Sequence, residues 1–529
     1  MATQFHLADL FETVAATVPD RLAIVSTTAQ LTYGELNARC DRLAAGLAAH
    51  GVGRGDTVGL YLMNGPAYLE SFIAAIKLGA VPFNVNYRYR AEELRYLFNN
   101  ARAATVIHDA EFAPVMDEVR GDVPSLRVSV AVGGAAAGSV AYSDLLAYEP
   151  AVREERHEDD ILLLYTGGTT GMPKGVMWPH KAFFFACAGG GGFFNPDGAC
   201  VAPGDIADRV AKAYPLRLMP IAPLMHGAAI WSAWSALSGG ITMVIDEGRV
   251  FDPERLWSTI AREKVNMVSI VGDAMAIPLR DGLLAHPGRW DLSAVVNLGS
   301  GGAVFSGHVK DQFRALLPAN ATIIDGMGSS ETGISGAAEP SADGMMRLRA
   351  SDVQAVVVDD RLANVGEAGL VARSGHIPVG YLGDTEKTAE TFRTIEGRLW
   401  SVSGDSARLE SDGTITVFGR GSTSINSGGE KIFPEEIEEA LRAHPAIHDT
   451  VVAGAPDPRW GERVCAIVSL RAGAEAPDLH AIRVFLGERL AGYKLPRSLI
   501  VVDEVPRSAA GKQDTRWAKA LAASQVEAA

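Results

Sequence analysis

Cysteine is scarce in this chain: its 529 residues include four, at Cys40, Cys187, Cys200 and Cys465. Their wide spacing excludes a C-x-x-C redox pair and the ligand spacing of a zinc site, which leaves buried free thiols as the plain reading. Such usage suits a reduced, cytoplasmic compartment. Positive charge is also in short supply. Lys and Arg number 48 against 63 Asp and Glu, for a formal charge of −15. That surface repels nucleic acid and anionic lipid unless basic residues cluster. No Lys/Arg run clusters them, so nucleic acid is not an expected partner. The opening residues MATQFHLADLFETV lack a basic segment and place acids at Asp9 and Glu12, unlike a secretory leader. Long apolar runs are missing too. The longest, 230–245, is too short for a bilayer and is broken by Ser and Gly, so no transmembrane segment is expected. Peripheral membrane contact and a homodimer both stay open.

What is present is ordinary for a protein with large cores: 47% hydrophobic and 21% charged residues. The length implies several structural units. Short β-branched runs alternate with helix-length amphipathic stretches. Strands are predicted at 23–26, 57–62, 104–108, 161–165, 241–245, 267–271 and 294–298. Between the first two, Thr32 and Glu35 have capping-box spacing, Leu36, Leu43 and Leu47 recur on one face, and Gly51 supplies a stop. The alternation predicts an α/β fold with mostly parallel strands buried between helices. Segments 133–138 and 188–192, rich in Gly and Ala, read as loops.

The last hundred or so residues read as a separate α+β unit. Segment 419–429, GRGSTSINSGG, is almost free of apolar side chains and suits a hinge or an exposed loop. Beyond it, the pattern predicts helices at 434–444 and 479–490 and strands at 450–453, 464–470 and 499–502.

Segment 161–176, ILLLYTGGTTGMPKGV, carries the most chemistry. An apolar strand runs into a loop with four glycines, three threonines and one lysine. Glycines let backbone N–H groups converge on an anion, threonines add hydroxyl donors, and Lys174 adds charge. This is the inventory of a triphosphate cradle. It is not a Walker loop, because no G-K-[ST] closes it and Pro173 precedes the lysine. Composition alone also allows a mobile surface loop.

The run YTGGTTGMPKG resembles the phosphate-loop signature of the adenylate-forming enzymes, a family of acyl-CoA synthetases, firefly-type luciferases and peptide-synthetase adenylation domains. Gly167 stands where that family usually has serine. Six further segments resemble the family in the same order: PLMHG at 223–227, SGGA at 300–303, GMGSSETG at 326–333, SGD at 403–405, Gly419–Arg420 as GR, and PRSAAGK at 506–512. The resemblance spans about residue 30 to residue 515. It implies a large N-terminal domain of stacked α/β subdomains over 1–419, a hinge region at 420–429, and a small mobile α+β domain over 430–529.

The resemblance also implies a two-step acyl-CoA ligase, with ATP and coenzyme A as co-substrates, magnesium as the ion and a small carboxylic acid as substrate. ATP or AMP would fall to Thr166, Gly167, Gly168, Thr169, Thr170, Gly171 and Lys174, then to Gly301, Gly302, Ala303, Met327, Gly328, Ser329 and Ser330. Asp405 would bind the ribose hydroxyls, and Arg420 the ribose and phosphate. Glu331 and Thr166 would face magnesium. His226 would lie by the acyl carboxylate, and Lys512 would bridge carboxylate and phosphate. Coenzyme A would meet Ser427, Gly428, Gly429, Glu430 and Lys431 after the small domain swings about its hinge.

Taken singly, several of these residues read differently. Lys512 reads as a solvated lysine, Glu331 as a helix-start carboxylate, Asp405 as a turn residue and His226 as a packed core residue. Two departures stand out. Met327 replaces the aromatic expected against adenine, and Gly421, Ser422 and Thr423 replace the charged pair usual after Gly-Arg. The stretch GRGSTSINSGGEKIFPEE looks most like the actinobacterial-type fatty-acid and steroid-side-chain CoA ligases. Segments 187–198 and 228–234, mixing small residues with aromatics, would flank a roomy apolar pocket or simply fill a core. The rival readings are an adenylate-forming enzyme with another acyl acceptor, such as a carrier-protein thiol, and a nucleotide-binding protein that has lost catalysis.

Overall fold

The computed structural model describes residues 2–150, 154–166, 172–338, 345–420, 425–427, 430–457, 461–490, 492–507 and 513–527. Two mostly parallel sheets of eight strands form its large part. In the first, Thr322–Ser329, Asn297–Gly301, Met267–Ile270, Arg217–Pro220, Thr242–Val244 and Leu22–Val25 run parallel, with antiparallel Gly333–Ala337 and Gln30–Thr32 at its edges. In the second, Ile161–Thr166, Val81–Asn84, Thr57–Tyr61, Thr105–Asp109, Val128–Val132 and Val140–Ala141 are parallel. Lys174–Pro179 and Gly380–Tyr381 extend it antiparallel.

One core joins these sheets. It takes Ile24 and Met243 from the first and Val58 and Leu60 from the second, through helices Leu7–Thr17, Tyr33–Ala49, Pro66–Lys77 and Gly227–Ser238. Helix Tyr33–Ala49 begins as its sequence predicts, with Thr32 and Glu35 each bonded to the other's backbone N–H. Helix Gly227–Ser238 is buried on nearly every side. Its serines tolerate this because Ser235 and Ser238 donate to the carbonyls of Trp231 and Trp234, at 2.8 and 2.6 Å. Phe72 and Trp234 meet between the sheets with ring centroids 5.5 Å apart.

A third sheet, which the sequence reading lacked, is antiparallel: Met346–Arg349, Thr414–Arg420, Arg398–Leu409, Ala368–Ser374, Gln354–Val358 and Arg361–Leu362, with Phe392–Ile395 on the long strand. The C-terminal unit has its own sheet of five strands, built on Ile447–Asp457 and Gly461–Leu470. Its helix Pro434–Arg442 starts with proline at the first helical position, as predicted. A final helix, Thr515–Glu527, adds to the prediction.

Three local expectations need correction. The strand predicted at 294–298 is Asn297–Gly301, because Val295 N–H closes a turn on the Leu292 carbonyl before the ladder begins. Segment 188–192 holds a short 3-10 turn with Gly190 and Gly191 buried. Gly189, Gly190 and Gly191 all have positive φ there, which glycine adopts without strain. Segment 419–429 is not loop throughout. Thr414–Arg420 carries its strand through Arg420, and Ile425–Ser427 is a strand with Ile425 buried. All four cysteines are free and buried, as their spacing predicts. Among the described residues no helix is long and apolar enough to cross a membrane.

Candidate active site

The motifs that the sequence singles out lie largely at the carboxyl ends of the parallel strands, where open α/β sheets bind ligands. Strand Ile161–Thr166 ends on Thr166, whose partner across the hairpin is Lys174. The loop between them thus connects two strands, whereas a Walker loop connects a strand to a helix. Gly167, Gly168, Thr169, Thr170 and Gly171 lie outside the described residues. In the first sheet, strand Asn297–Gly301 ends beside the next strand, with Gly301 opposite Gly326. Gly302 has φ +85° and turns the chain where Ala303 follows.

Met327 and Gly328 continue that neighbouring strand. The Met327 side chain packs on the small core of the third sheet around Leu348 and Val417. Gly328 allows a close approach: a Cβ there would lie 2.5 Å from the Gly333 carbonyl oxygen and 3.2 Å from the Trp231 ring. The turn that follows is tied by hydroxyls. Ser329 N–H donates to Thr332 Oγ1 at 3.1 Å, and Ser335 Oγ donates to the same oxygen at 3.2 Å.

Glu331 sits in that turn, where all three sheets of the large part meet. Tyr381, on the second sheet, donates its hydroxyl to Glu331 Oε1 at 2.9 Å. Ser401, on the third, donates to the Glu331 carbonyl at 2.7 Å. Trp178 donates its indole N–H to the adjacent Ser330 carbonyl at 2.9 Å. Lys174 approaches the same group, its ammonium 5.8 Å from the Tyr381 ring centroid and bonded to Asp384 Oδ2 at 2.6 Å. That bond from Lys174 holds the Asp384 carboxyl below the usual range. Asp384 also caps helix Thr385–Thr391 through Lys387 N–H, so its orientation is fixed twice.

Asp405 and Arg420 are Cα partners on neighbouring strands of the third sheet, which brings the two predicted ribose contacts side by side. Ser403 Oγ accepts from Asp405 N–H at 3.2 Å. His226 immediately precedes helix Gly227–Ser238, and its carbonyl accepts from Ala229 and Ile230 at 3.1 Å. The predicted coenzyme A segment is elsewhere. Ser427 pairs with Glu430 across a hairpin of the C-terminal sheet, Asn426 with Lys431, and Ser427 also with Gly461. Gly428 and Gly429, between the paired residues, lie outside the described residues, as do Gly421, Ser422, Thr423 and Lys512.

The C-terminal unit nevertheless docks on the large part. Glu439 Oε1 accepts from Gly307 N–H at 3.0 Å, at the start of helix Gly307–Leu316. Burial raises the Glu439 carboxyl above its usual range. Phe418, on the third sheet, and Phe433, at the start of helix Pro434–Arg442, stack with centroids 4.3 Å apart.

A hard divalent ion wants oxygen ligands and shares substrate phosphates with one or two carboxylates. Glu331 fits such an ion: Tyr381 occupies Oε1, and among the described residues no donor is paired with Oε2. Among the same residues no group of three His, Cys, Asp or Glu side chains forms an all-protein cage. Tyr381, Asp384, Trp178 and Ser401 escaped the sequence reading because each acts through one long-range contact and stands in no motif. Asn84 escaped it too. Its only signal is an amide at the end of the apolar run VPFN.

Comparison with known proteins shows the family. The family described as AMP-binding enzyme matches residues 11–382, and its C-terminal domain matches residues 436–512. The medium/long-chain-fatty-acid–CoA/3-oxocholest-4-en-26-oate–CoA ligase of Mycobacterium tuberculosis is 43% identical over 98% of this chain and 96% of its own. The 3-oxocholest-4-en-26-oate–CoA ligase of Rhodococcus rhodochrous is 41% identical over 97% of this chain and 95% of its own. Among solved structures, the anthranilate CoA ligase AuaEII bound to anthranoyl-AMP superposes with a TM-score of 0.85. It covers 100% of this chain and 99% of its own at 23% identity, and that likeness speaks for the fold alone.

Proposed function

The chain belongs to the AMP-binding enzymes, and from that premise we propose that it is an ATP-dependent acyl-CoA ligase for medium- or long-chain fatty acids or bulky steroid-side-chain acids. In the first step a carboxylate oxygen attacks the α-phosphorus of ATP, forming acyl-adenylate and releasing pyrophosphate. In the second, the coenzyme A sulfur attacks the acyl carbonyl, gives up its proton and expels AMP. The observation that carries this reading is Glu331 at the junction of three sheets, linked through Tyr381 to Lys174 at the root of the glycine loop.

In this reading Glu331 and Thr166 hold magnesium, which when bound supplies charge to neutralise the phosphate oxygens. Gly301, Gly302, Ala303, Met327, Gly328, Ser329 and Ser330 border the adenine, and the Met327 thioether serves where an aromatic ring is usual. Asp405 and Arg420 bind the ribose. His226 orients the acyl carboxylate. Lys512 approaches the carboxylate and α-phosphate during the first step. The C-terminal unit, whose sheet includes strand Ile425–Ser427, then turns about the chain that precedes this strand and offers Ser427, Gly428, Gly429, Glu430 and Lys431 to the pantetheine arm. The enzyme works in the cytoplasm.

The substrate class rests on the relatives. Gly227 and Gly328 both abut the Trp231 ring, each placing a would-be Cβ 3.2 Å from it. The ring therefore fills the space that a side chain would take at either position and packs directly on the backbone next to His226. The check is acyl-CoA formation across acids from acetate to C18 and sterol-side-chain carboxylates. Long or polycyclic acids are expected to exceed acetate in kcat/KM by about 10²-fold or more, since each buried methylene adds about 0.8 kcal/mol. A preference for acetate or a small aromatic acid would overturn the substrate class and leave the ligase chemistry intact.

A further inference from the structure

Asn84 ends the strand Val81–Asn84, next to the strand that leads into the glycine loop. Backbone pairing between these strands is registered at Phe83 and Leu163. Beyond it the Asn84 side chain takes over. Its Oδ1 accepts from Tyr165 N–H at 2.7 Å, and its Nδ2 donates to the Tyr165 carbonyl at 2.9 Å. Its second amide hydrogen goes to the Met225 carbonyl at 2.7 Å. Two carbonyl oxygens on one side fix the amide orientation, because only the NH₂ end can face both.

Tyr165 immediately precedes Thr166, and Met225 immediately precedes His226. One half-buried side chain thus grips the backbone at the root of the triphosphate loop, on the second sheet, and at the acyl-side histidine, in the segment that follows strand Arg217–Pro220 of the first. Three hydrogen bonds set the separation of these two roots. Asn64 adds to the grip on the histidine segment, accepting from Leu224 N–H at 2.8 Å.

We propose that Asn84 is a positioning residue for adenylation, holding the phosphate-loop root and the His226 segment at the spacing that the in-line attack needs. The inference rests on the acyl-CoA ligase reading. Attack of carboxylate on the α-phosphorus depends on the relative placement of two bound substrates, and a misplacement of about 1 Å can cost about 10²-fold. The second step starts from a single covalent acyl-adenylate and does not depend on that spacing.

The test compares Asn84→Ala and Asn84→Asp with Asn266→Ala. Asn266 makes similar side-chain bonds elsewhere in the first sheet, accepting from Arg217 N–H at 2.8 Å and donating to the Ala294 carbonyl at 3.0 Å. These contacts lie at the amino ends of the strands, away from the site. Acid-dependent ATP–pyrophosphate exchange reads the first step, thioester formation from supplied acyl-adenylate reads the second, and thermal melting reads the fold. Asn84→Ala is expected to lower kcat of exchange about 10- to 100-fold, with KM for ATP and acid and the second step within about threefold. Asn84→Asp keeps the Tyr165 N–H bond and the side-chain volume but turns an oxygen toward both carbonyls, so it should show the same split. It carries the test if the alanine variant fails to fold. Asn266→Ala should lower the melting temperature and leave both steps unchanged. Equal loss in both steps, or unchanged exchange in a folded Asn84 variant, would overturn the proposal. Absence of exchange in the parent protein would instead overturn the ligase reading beneath it.

Discussion

Replacing Lys512 with alanine is expected to lower adenylation by about 10²- to 10³-fold, while thioester formation from supplied acyl-adenylate stays within about threefold of the parent. The reason is electrostatic. A carboxylate must approach an α-phosphate that is already anionic, and their repulsion peaks as the new bond forms. A mobile ammonium between them offsets that charge in the transition state more than in the bound substrates. It therefore acts on kcat as well as on binding. In the second step the attack falls on the uncharged acyl carbonyl of a mixed anhydride, with the phosphate as leaving group, and a thiol has replaced the carboxylate as the attacking group. The lysine has no matching task there. Stopped-flow or quenched measurement of each half-reaction separates the two. Equal losses in both would mean that Lys512 stays at the site throughout, and the division of labour between two domain orientations would fail.

Glu331→Gln is expected to reduce adenylation about 10²-fold and to raise the magnesium concentration needed for half-maximal rate. The substitution keeps volume and leaves an oxygen to accept the Tyr381 hydroxyl, so the junction of the three sheets stays closed. What it removes is the negative charge toward the ion. A magnesium titration of ATP–pyrophosphate exchange reads the effect directly. An unshifted titration curve, with melting behaviour equal to that of the parent, would restrict Glu331 to holding the turn through Tyr381 and Ser401.

Much of this site was legible in the residues, for a physical reason. Strand-to-loop transitions carry strong local signals: apolar β-branched runs that stop at Gly, Thr or Ser place the loop at a strand end without any long-range information. Thr166 falls beside such an end, and the structure puts it there; Gly301 and Met327 were named from the resemblance, and they lie at the end of one strand and within its neighbour. The capping box at Thr32 is similarly local and correct.

The contacts that close the site were not legible. Tyr381 reaches Glu331 across 50 positions, Lys174 reaches Asp384 across 210, and Asn84 reaches Met225 across 141. No periodicity encodes such pairs, because they depend on how strands distant in sequence come together. The third sheet was missed for a related reason. Its longest strand, Arg398–Leu409, alternates irregularly between exposed and buried positions, with the exposed Gly404 inside it, so no clean period-2 pattern marks it. The loop reading of 419–429 rested on Gly and Ser content and overlooked Ile425, a single buried residue that suffices to anchor a short strand.

The central claim is that acyl transfer ends on coenzyme A, and one assay decides it. The protein is given ATP, magnesium and a long-chain or sterol-side-chain acid, with and without coenzyme A, and AMP and acyl-CoA are measured together. The account predicts multiple-turnover AMP release only when both the acid and coenzyme A are present, with one acyl-CoA formed for each AMP. Sustained acid-dependent AMP release that is indifferent to coenzyme A, with no thioester formed, would contradict it and assign the acyl group to another acceptor.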